Sequence, residues 1–289
     1  MSKTAREKVA ESKRIVIKVG TSTIMYENGN VNLQRLDRLA FVLSDLTNQG
    51  KEIILVSSGA VGVGMDRLHM QSRPQTIPEQ QAVAAVGQSQ LMSLYNRFFH
   101  NYGKTAGQIL MTRDIVEFPE SRRNAINTFN ALLDTNVIPI VNENDSVAVE
   151  ELDHLTKFGD NDQLSAIVSI IASADLLIML TDVDGFYDNN PASNNDALLF
   201  HEINAVSSYH YSLAGGNGSR FGTGGMTTKL KAADYMLEQS KQTVLINGNQ
   251  PIKILDVMQG SDIGTLFTPS MEPFAKKGFE RNGNIESTR

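Results

Sequence analysis

Cysteine is absent from all 289 residues, which excludes disulfides, thiolate metal ligands and cysteine nucleophiles and removes any reason to expect an oxidising compartment. The cytoplasm is the default. A basic excess is also missing, since 26 Lys and Arg stand against 32 Asp and Glu for a formal net charge of −6. A nucleic-acid-binding domain ordinarily gathers positive charge on one face, so nucleic acid is not an expected partner, and a small acidic ligand would need positive charge concentrated locally. Long apolar runs are scarce. The longest, residues 164–180, is broken by Asp175 and by serines, as in a buried helix followed by a buried strand rather than a membrane span. Residues 1–13 are polar and charged with no apolar signal-peptide core, and read as a short tail or a first helix. His69, His100, His154, His201 and His210 are scattered along the chain, which supports neither a zinc site nor a Ser-His-Asp triad.

What is present is a chain long enough for one large domain or two modest ones, with 41% hydrophobic residues to build a core. Short β-branched runs at 14–19, 52–56, 106–111, 137–141, 176–180 and 243–246 alternate with helical patterns at 33–49, 77–102, 121–136, 162–172 and 227–239. The alternation predicts an α/β fold with an open parallel sheet, and runs that are apolar on both faces predict helices on both sides. No internal repeat or linker divides the chain; residues 271–289 read as a polar tail.

In open α/β sheets ligands bind beyond the carboxyl ends of the strands. Small, polar or glycine-rich segments stand at five such places: 18–23, 57–64, 142–145, 159–162 and 181–185. A sixth segment, Gly-Thr-Gly-Gly-Met-Thr-Thr-Lys at 222–229, runs into a predicted helix. Glycines let backbone N–H groups approach an anion, the helix turns its positive end toward it, and Lys229 adds a full charge, so this segment reads as a phosphate cradle, with a mobile surface loop as the alternative. The nearest glycine, Gly225, lies four residues before Lys229, so the spacing is not that of a P-loop. Lys18 ends an apolar strand two residues before Gly20, and reads either as a second phosphate contact facing Lys229 or as a strand-end lysine reaching solvent. Gly62 and Gly64 form a GxG, but Arg67 stands where the dinucleotide fingerprint needs its third glycine; the N–H groups of this segment could still hold a carboxylate or phosphate. The carboxylates and amides of 142–145 and 159–162 allow a Mg²⁺ or Ca²⁺ site, recognition of a zwitterion, or capping of the next helix by Asp160 or Asn161. Residues 181–185 read as a strand-ending turn or a contact to a nucleotide.

Taken together, Ile17-Lys-Val-Gly-Thr-Ser22, Val56-Ser-Ser-Gly-Ala60, Val141-Asn-Glu-Asn-Asp145, Phe158-Gly-Asp-Asn-Asp162, Leu180-Thr-Asp182 and residues 222–229 resemble the amino acid kinase family over roughly residues 14–267. The likeness is nearest to the branch that acts on glutamate. The resemblance implies a three-layer α/β/α sandwich over residues 1–270, acceptor-binding in its N-terminal part and ATP-binding in its C-terminal part. It also implies transfer of the ATP γ-phosphoryl group to the side-chain carboxylate of L-glutamate, the first step of proline biosynthesis. Many relatives carry a C-terminal PUA domain, and this chain stops about twenty residues after the kinase segment, so no PUA domain is expected. By the same resemblance Lys18 and Lys229 stabilise the transition state and Asp162 organises them. Ser58, Asp145 and Asn161 hold glutamate, with Gly59 and Asn142 lining its pocket. Lys18, Thr181, Asp182, Thr223, Gly224, Gly225, Met226, Thr227, Thr228 and Lys229 bind ATP, whose phosphates carry Mg²⁺ without a dedicated protein metal site. Feedback by proline and a homo-oligomer, dimer or tetramer, are further implications. Kinases of acetylglutamate, aspartate, carbamate and uridylate are the near alternatives. A non-catalytic nucleotide sensor is disfavoured by the presence of both lysines with Asp162, and a dinucleotide oxidoreductase by the missing glycine.

Overall fold

A computed structural model describes residues 3–147, 160–215 and 225–270. The order is α1 (Ala5–Glu11), β1 (Arg14–Val19), α2 (Thr21–Ile24), α3 (Leu33–Asn48), β2 (Glu52–Ser57), α4 (Ala60–Arg67), α5 (Ile77–Asn101), β3 (Thr105–Met111), α6 (Asp114–Glu117), α7 (Pro119–Asp134) and β4 (Val137–Glu143). There follow α8 (Asn161–Ile171), β5 (Leu176–Thr181), β6 (Glu202–Ile203), α9 (Ser208–Ala214), α10 (Met226–Glu238), β7 (Gln242–Asn247), α11 (Lys253–Met258) and β8 (Thr265–Phe267).

The eight strands form one sheet in the order β3-β4-β2-β1-β5-β7-β8-β6. Every described pairing is parallel except β7 with β8. β1 pairs with β2 on one side and β5 on the other, so the chain winds outward in opposite directions from it and opens a crevice beside its carboxyl end. Lys18 and Gly20 sit at that point.

The period-2 alternation of a strand divides the apolar residues between two cores. Ile15, Ile17, Val19, Ile178 and Leu180 join one cluster with residues of α1, α3, α5 and α11. Val16, Ile54, Val56, Leu177 and Met179 join the other with residues of α7, α8 and α10. Burying one such side chain stabilises by roughly 1.5–3 kcal/mol, so the central strands anchor both layers. β3 departs from the expectation of strands apolar on both faces: as the sheet's edge it is largely accessible, and Leu110 is 37% exposed.

Helix starts explain which ends are closed and which are open. Thr4 with Glu7 and Thr76 with Glu79 form capping boxes on α1 and α5, and the Asp160 side chain accepts from the N–H groups of Asp162 and Gln163 at the start of α8. α4 and α10 instead start after Gly59 and Gly225 with no side-chain cap, which leaves their first N–H groups without a side-chain acceptor. Gly62 and Gly64 lie inside α4. A Cβ on Gly64 would stand 2.1 Å from the Val83 carbonyl oxygen, and one on Gly87 1.7 Å from that of Ala60. The second glycine of this pair thus serves close packing of α4 on α5. The tail expected at 271–289, with Thr223 and Gly224 of the cradle, lies outside the described residues.

Candidate active site

Asp162, in the first turn of α8, is 1% exposed and takes a lysine on each carboxylate oxygen. Lys18 Nζ approaches Oδ1 at 2.6 Å and Lys229 Nζ approaches Oδ2 at 3.1 Å. Thr228 Oγ1 also donates to Oδ2 at 2.8 Å. Burial acts to raise the Asp162 pKa, but the charges of Lys18 and Lys229, with hydrogen bonds from Lys18 and Thr228, outweigh it and hold the carboxyl below its ordinary value. One carboxylate between two ammonium groups leaves a net positive site, suited to an anion. The lysines come from distant parts of the sequence: Lys18 from the carboxyl end of the strand β1, Lys229 from the first turn of α10. The single Thr228 hydroxyl hydrogen is shared with the Gly225 carbonyl, also 2.8 Å from Oγ1, which ties the helix start to the residue before it.

Asn161 precedes Asp162 and turns to the other half of the site. Its Nδ2 donates to Ser58 Oγ at 2.7 Å and to Asn142 Oδ1 at 3.1 Å. Ser58 follows β2, and Asn142 stands near the end of β4. The intervening Gly59 has φ +103°, and a Cβ there would lie 2.3 Å from Ile24 Cδ1, so backbone conformation and space both require glycine. A cavity of about 590 Å³ opens here, lined by Gln88, Met92, Asn96, Glu143, Asn144 and Asp145 among others.

Thr181 ends β5 and its hydroxyl donates to Asp182 Oδ1 at 3.0 Å. The Thr181 carbonyl accepts from the Gly248 N–H at 2.7 Å, which fastens the ends of β5 and β7 together. Asn247, at the end of β7, donates to Asp184 Oδ1 at 3.1 Å.

Residues 13–247 match the amino acid kinase family. The chain belongs to this family. Among curated amino acid kinases, the glutamate 5-kinase of Enterococcus faecalis is 62% identical over 91% of this chain and 97% of its own length. The glutamate 5-kinase of Listeria monocytogenes serovar 1/2a is 58% identical over 94% of this chain and 99% of its own. Solved structures share the amino acid kinase fold at much lower identity. The isopentenyl phosphate kinase of T. acidophilum has a TM-score of 0.61 at 18% identity, covering 88% of this chain and 100% of that one. Carbamate kinase from Giardia lamblia has a TM-score of 0.61 at 17% identity, covering 90% and 100%.

The structure therefore brings Lys18, Asp162, Thr228 and Lys229 into one cluster and Ser58, Asn142 and Asn161 into a second, with Asp145 on the adjoining cavity. Thr181 and Asp182 stand at the end of β5, and Gly225, Met226 and Thr227 at the start of α10. Asp160 caps α8, as one of the sequence readings expects. Sequence reasoning assigned no role to two supports for the second cluster. Tyr95 and Ser57 are linked at 2.8 Å, and Ser57 Oγ donates to the Ser58 carbonyl at 2.9 Å. With its hydrogen so committed, Ser57 accepts from Tyr95, whose phenol is held neutral by burial. Gln88 Oε1 accepts from Asn142 Nδ2 at 2.9 Å. Ser57 opens the segment 57–64 and Gln88 lies in Ala85-Val-Gly-Gln-Ser89, a stretch that also carries the family resemblance, but nothing in the sequence says that they and Tyr95 meet the ends of β2 and β4.

Proposed function

We infer that the chain is an ATP-dependent glutamate 5-kinase, transferring the γ-phosphoryl group of ATP to the side-chain carboxylate of L-glutamate to give L-glutamyl 5-phosphate and ADP. The observation that carries the mechanism is the convergence of Lys18 and Lys229 on Asp162, one residue from the Asn161 side chain that reaches Ser58 and Asn142. One helix turn thus couples a positive cluster to a polar acceptor pocket. The glutamate 5-kinases matched over nearly their whole length support the choice of acceptor.

A glutamate side-chain carboxylate has an ordinary pKa near 4.3 and is ionised at neutral pH, so the nucleophile needs no general base. Its oxygen attacks the γ-phosphorus, an O–P bond forms, and the bond to the bridging oxygen of ADP breaks with no proton transferred. The barrier lies in bringing two anions together and holding them in line. Lys18 and Lys229 would meet the charge on the transferring group, and Asp162 would keep both ammonium groups aimed while lowering their mutual repulsion. The uncapped start of α10, with Gly225, Met226, Thr227 and Thr228, would take phosphate oxygens, as would Thr223 and Gly224 before it. Thr181 and Asp182 would contact the nucleotide. Ser58, Asn142, Asp145 and Asn161 would hold glutamate, with the N–H groups after Gly59 open to a carboxylate.

Asp162 spends both carboxylate oxygens on cations, so it is a poor metal ligand, and these residues suit a Mg²⁺ that is held by the phosphates of ATP. When bound, that ion neutralises phosphate charge. No described helix is long and apolar enough to cross a membrane. A cytoplasmic homo-oligomer subject to feedback by proline completes the reading.

The test is formation of a hydroxamate from ATP, L-glutamate and hydroxylamine, which requires an acyl phosphate. Purified protein should yield γ-glutamyl hydroxamate with Mg²⁺ and none in excess chelator. No product with glutamate, or full activity in chelator, would overturn this reading.

A further inference from the structure

The amides around the acceptor cavity form a chain whose direction is set by a single unambiguous donor. The backbone N–H of Glu143 donates to Asn142 Oδ1 at 2.9 Å. Asn142 is thereby held with its oxygen toward that N–H and its NH₂ away, and the NH₂ meets Gln88 Oε1 at 2.9 Å. Asn142 is 2% exposed, so an NH₂ without that acceptor would be buried and unsatisfied. The same Asn142 oxygen receives Asn161 Nδ2, which also donates to Ser58 Oγ. Both hydrogens of the Asn161 amide are then committed, and Asn161 Oδ1 is left buried with no hydrogen-bond partner among the described residues.

A buried carbonyl oxygen in this position calls for a donor from a ligand. Glutamate carries one group that donates, its α-ammonium; its two carboxylates only accept. We propose that Gln88, acting through Asn142, is a positioning residue that holds Asn161 with its carbonyl oxygen available to the α-ammonium of the acceptor, and so sets the preference for an amino acid over a plain dicarboxylic acid. This rests on the glutamate kinase reading above. Gln88 lies in α5 and lines the same cavity as Asp145, whose carboxylate is the other group suited to an ammonium.

If Gln88 loses its acceptor, Asn142 can satisfy its NH₂ only by turning, and Asn161 loses the partner that fixes its own amide. Binding of the ammonium should then suffer while the phosphoryl-transfer groups stay in place. The experiment compares the KM for L-glutamate with the inhibition constant of glutarate, which has both carboxylates but no ammonium, at saturating MgATP. Gln88→Met should raise the KM for glutamate about tenfold, leave the glutarate constant and the KM for ATP within about twofold, and leave kcat within about threefold. Gln88→Glu keeps an oxygen acceptor for Asn142 and should retain the glutamate preference of the wild type, whether or not the Met variant folds. An unchanged preference in Gln88→Met, an equal loss for glutamate and glutarate, or a lost preference in Gln88→Glu overturns the proposal while leaving the kinase reading intact. A wild-type protein that makes no hydroxamate from glutamate overturns both.

Discussion

The ammonium of Lys18 lies 2.6 Å from Asp162 Oδ1, joining the end of the central strand to the first turn of α8 across the mouth of the sheet. The contact is buried at both partners, with Lys18 6% and Asp162 1% exposed. Two opposite charges removed from water together must stay together, because either one alone would carry the full cost of desolvation. Lys229 occupies the second oxygen, so the triad is a fixed positive platform rather than a pair of mobile surface lysines.

Lys229→Met removes the charge while keeping most of the volume, and Asp162 retains Lys18. The variant should stay folded and lose about 10²–10³ in kcat, the scale seen when one preorganised stabiliser of transition-state charge is removed. Steady-state kinetics with circular dichroism decide it; near-normal turnover would sink the role.

Asp162→Asn leaves two buried ammonium groups without their shared counter-charge. Destabilisation of about 3–5 kcal/mol is expected at neutral pH, as for a broken buried ion pair. The pH dependence has a definite sign. Because the folded-state pKa of Asp162 is lowered, its contribution is fully present above the unfolded value of about 3.9 and fades as pH falls through the folded one. Denaturant melts should therefore separate wild type from variant at pH 6 and bring them together in strong acid. A gap that persists at the lowest pH would exclude this origin.

Asp145 lines the cavity, and in the proposed reading it would pair with the ammonium group of glutamate. Asp145→Ala should raise the KM for glutamate by at least tenfold and that for ATP by less than about twofold. Equal effects on both substrates would remove the assignment.

Gly87→Ala tests how α5 is seated on α4. In a helix interior alanine is intrinsically better than glycine by roughly 0.5–1 kcal/mol, yet a Cβ at Gly87 would stand 1.7 Å from the Ala60 carbonyl oxygen. Backbone cannot swing aside as a side chain can, so the variant should lose about 1–3 kcal/mol. A thermal melt that rises instead would show that the helices separate freely.

Much of the fold was legible because it depends on local patterning. The strand runs at 14–19, 52–56, 106–111, 137–141, 176–180 and 243–246 all lie in strands, and the five expected helices match within two residues at each end. α4 went unseen because its glycines look like a loop until Val83 of α5 is set against Gly64. β8 is three residues long and runs antiparallel beside β7, a pairing no periodicity encodes.

By itself the sequence determined the chemistry available: two lysines next to glycines, an aspartate and amides at strand ends, and no cysteine or histidine cluster to do anything else. It also determined the class of fold, since apolar period and turn residues act over a few neighbours. Only the tertiary structure decided that Lys18, Asp162 and Lys229 share one charge cluster, and that Gln88 and Tyr95 stand behind the acceptor loops. Those relations depend on which strand lies beside which, a choice made by burying two apolar layers at once, and no local pattern carries that information.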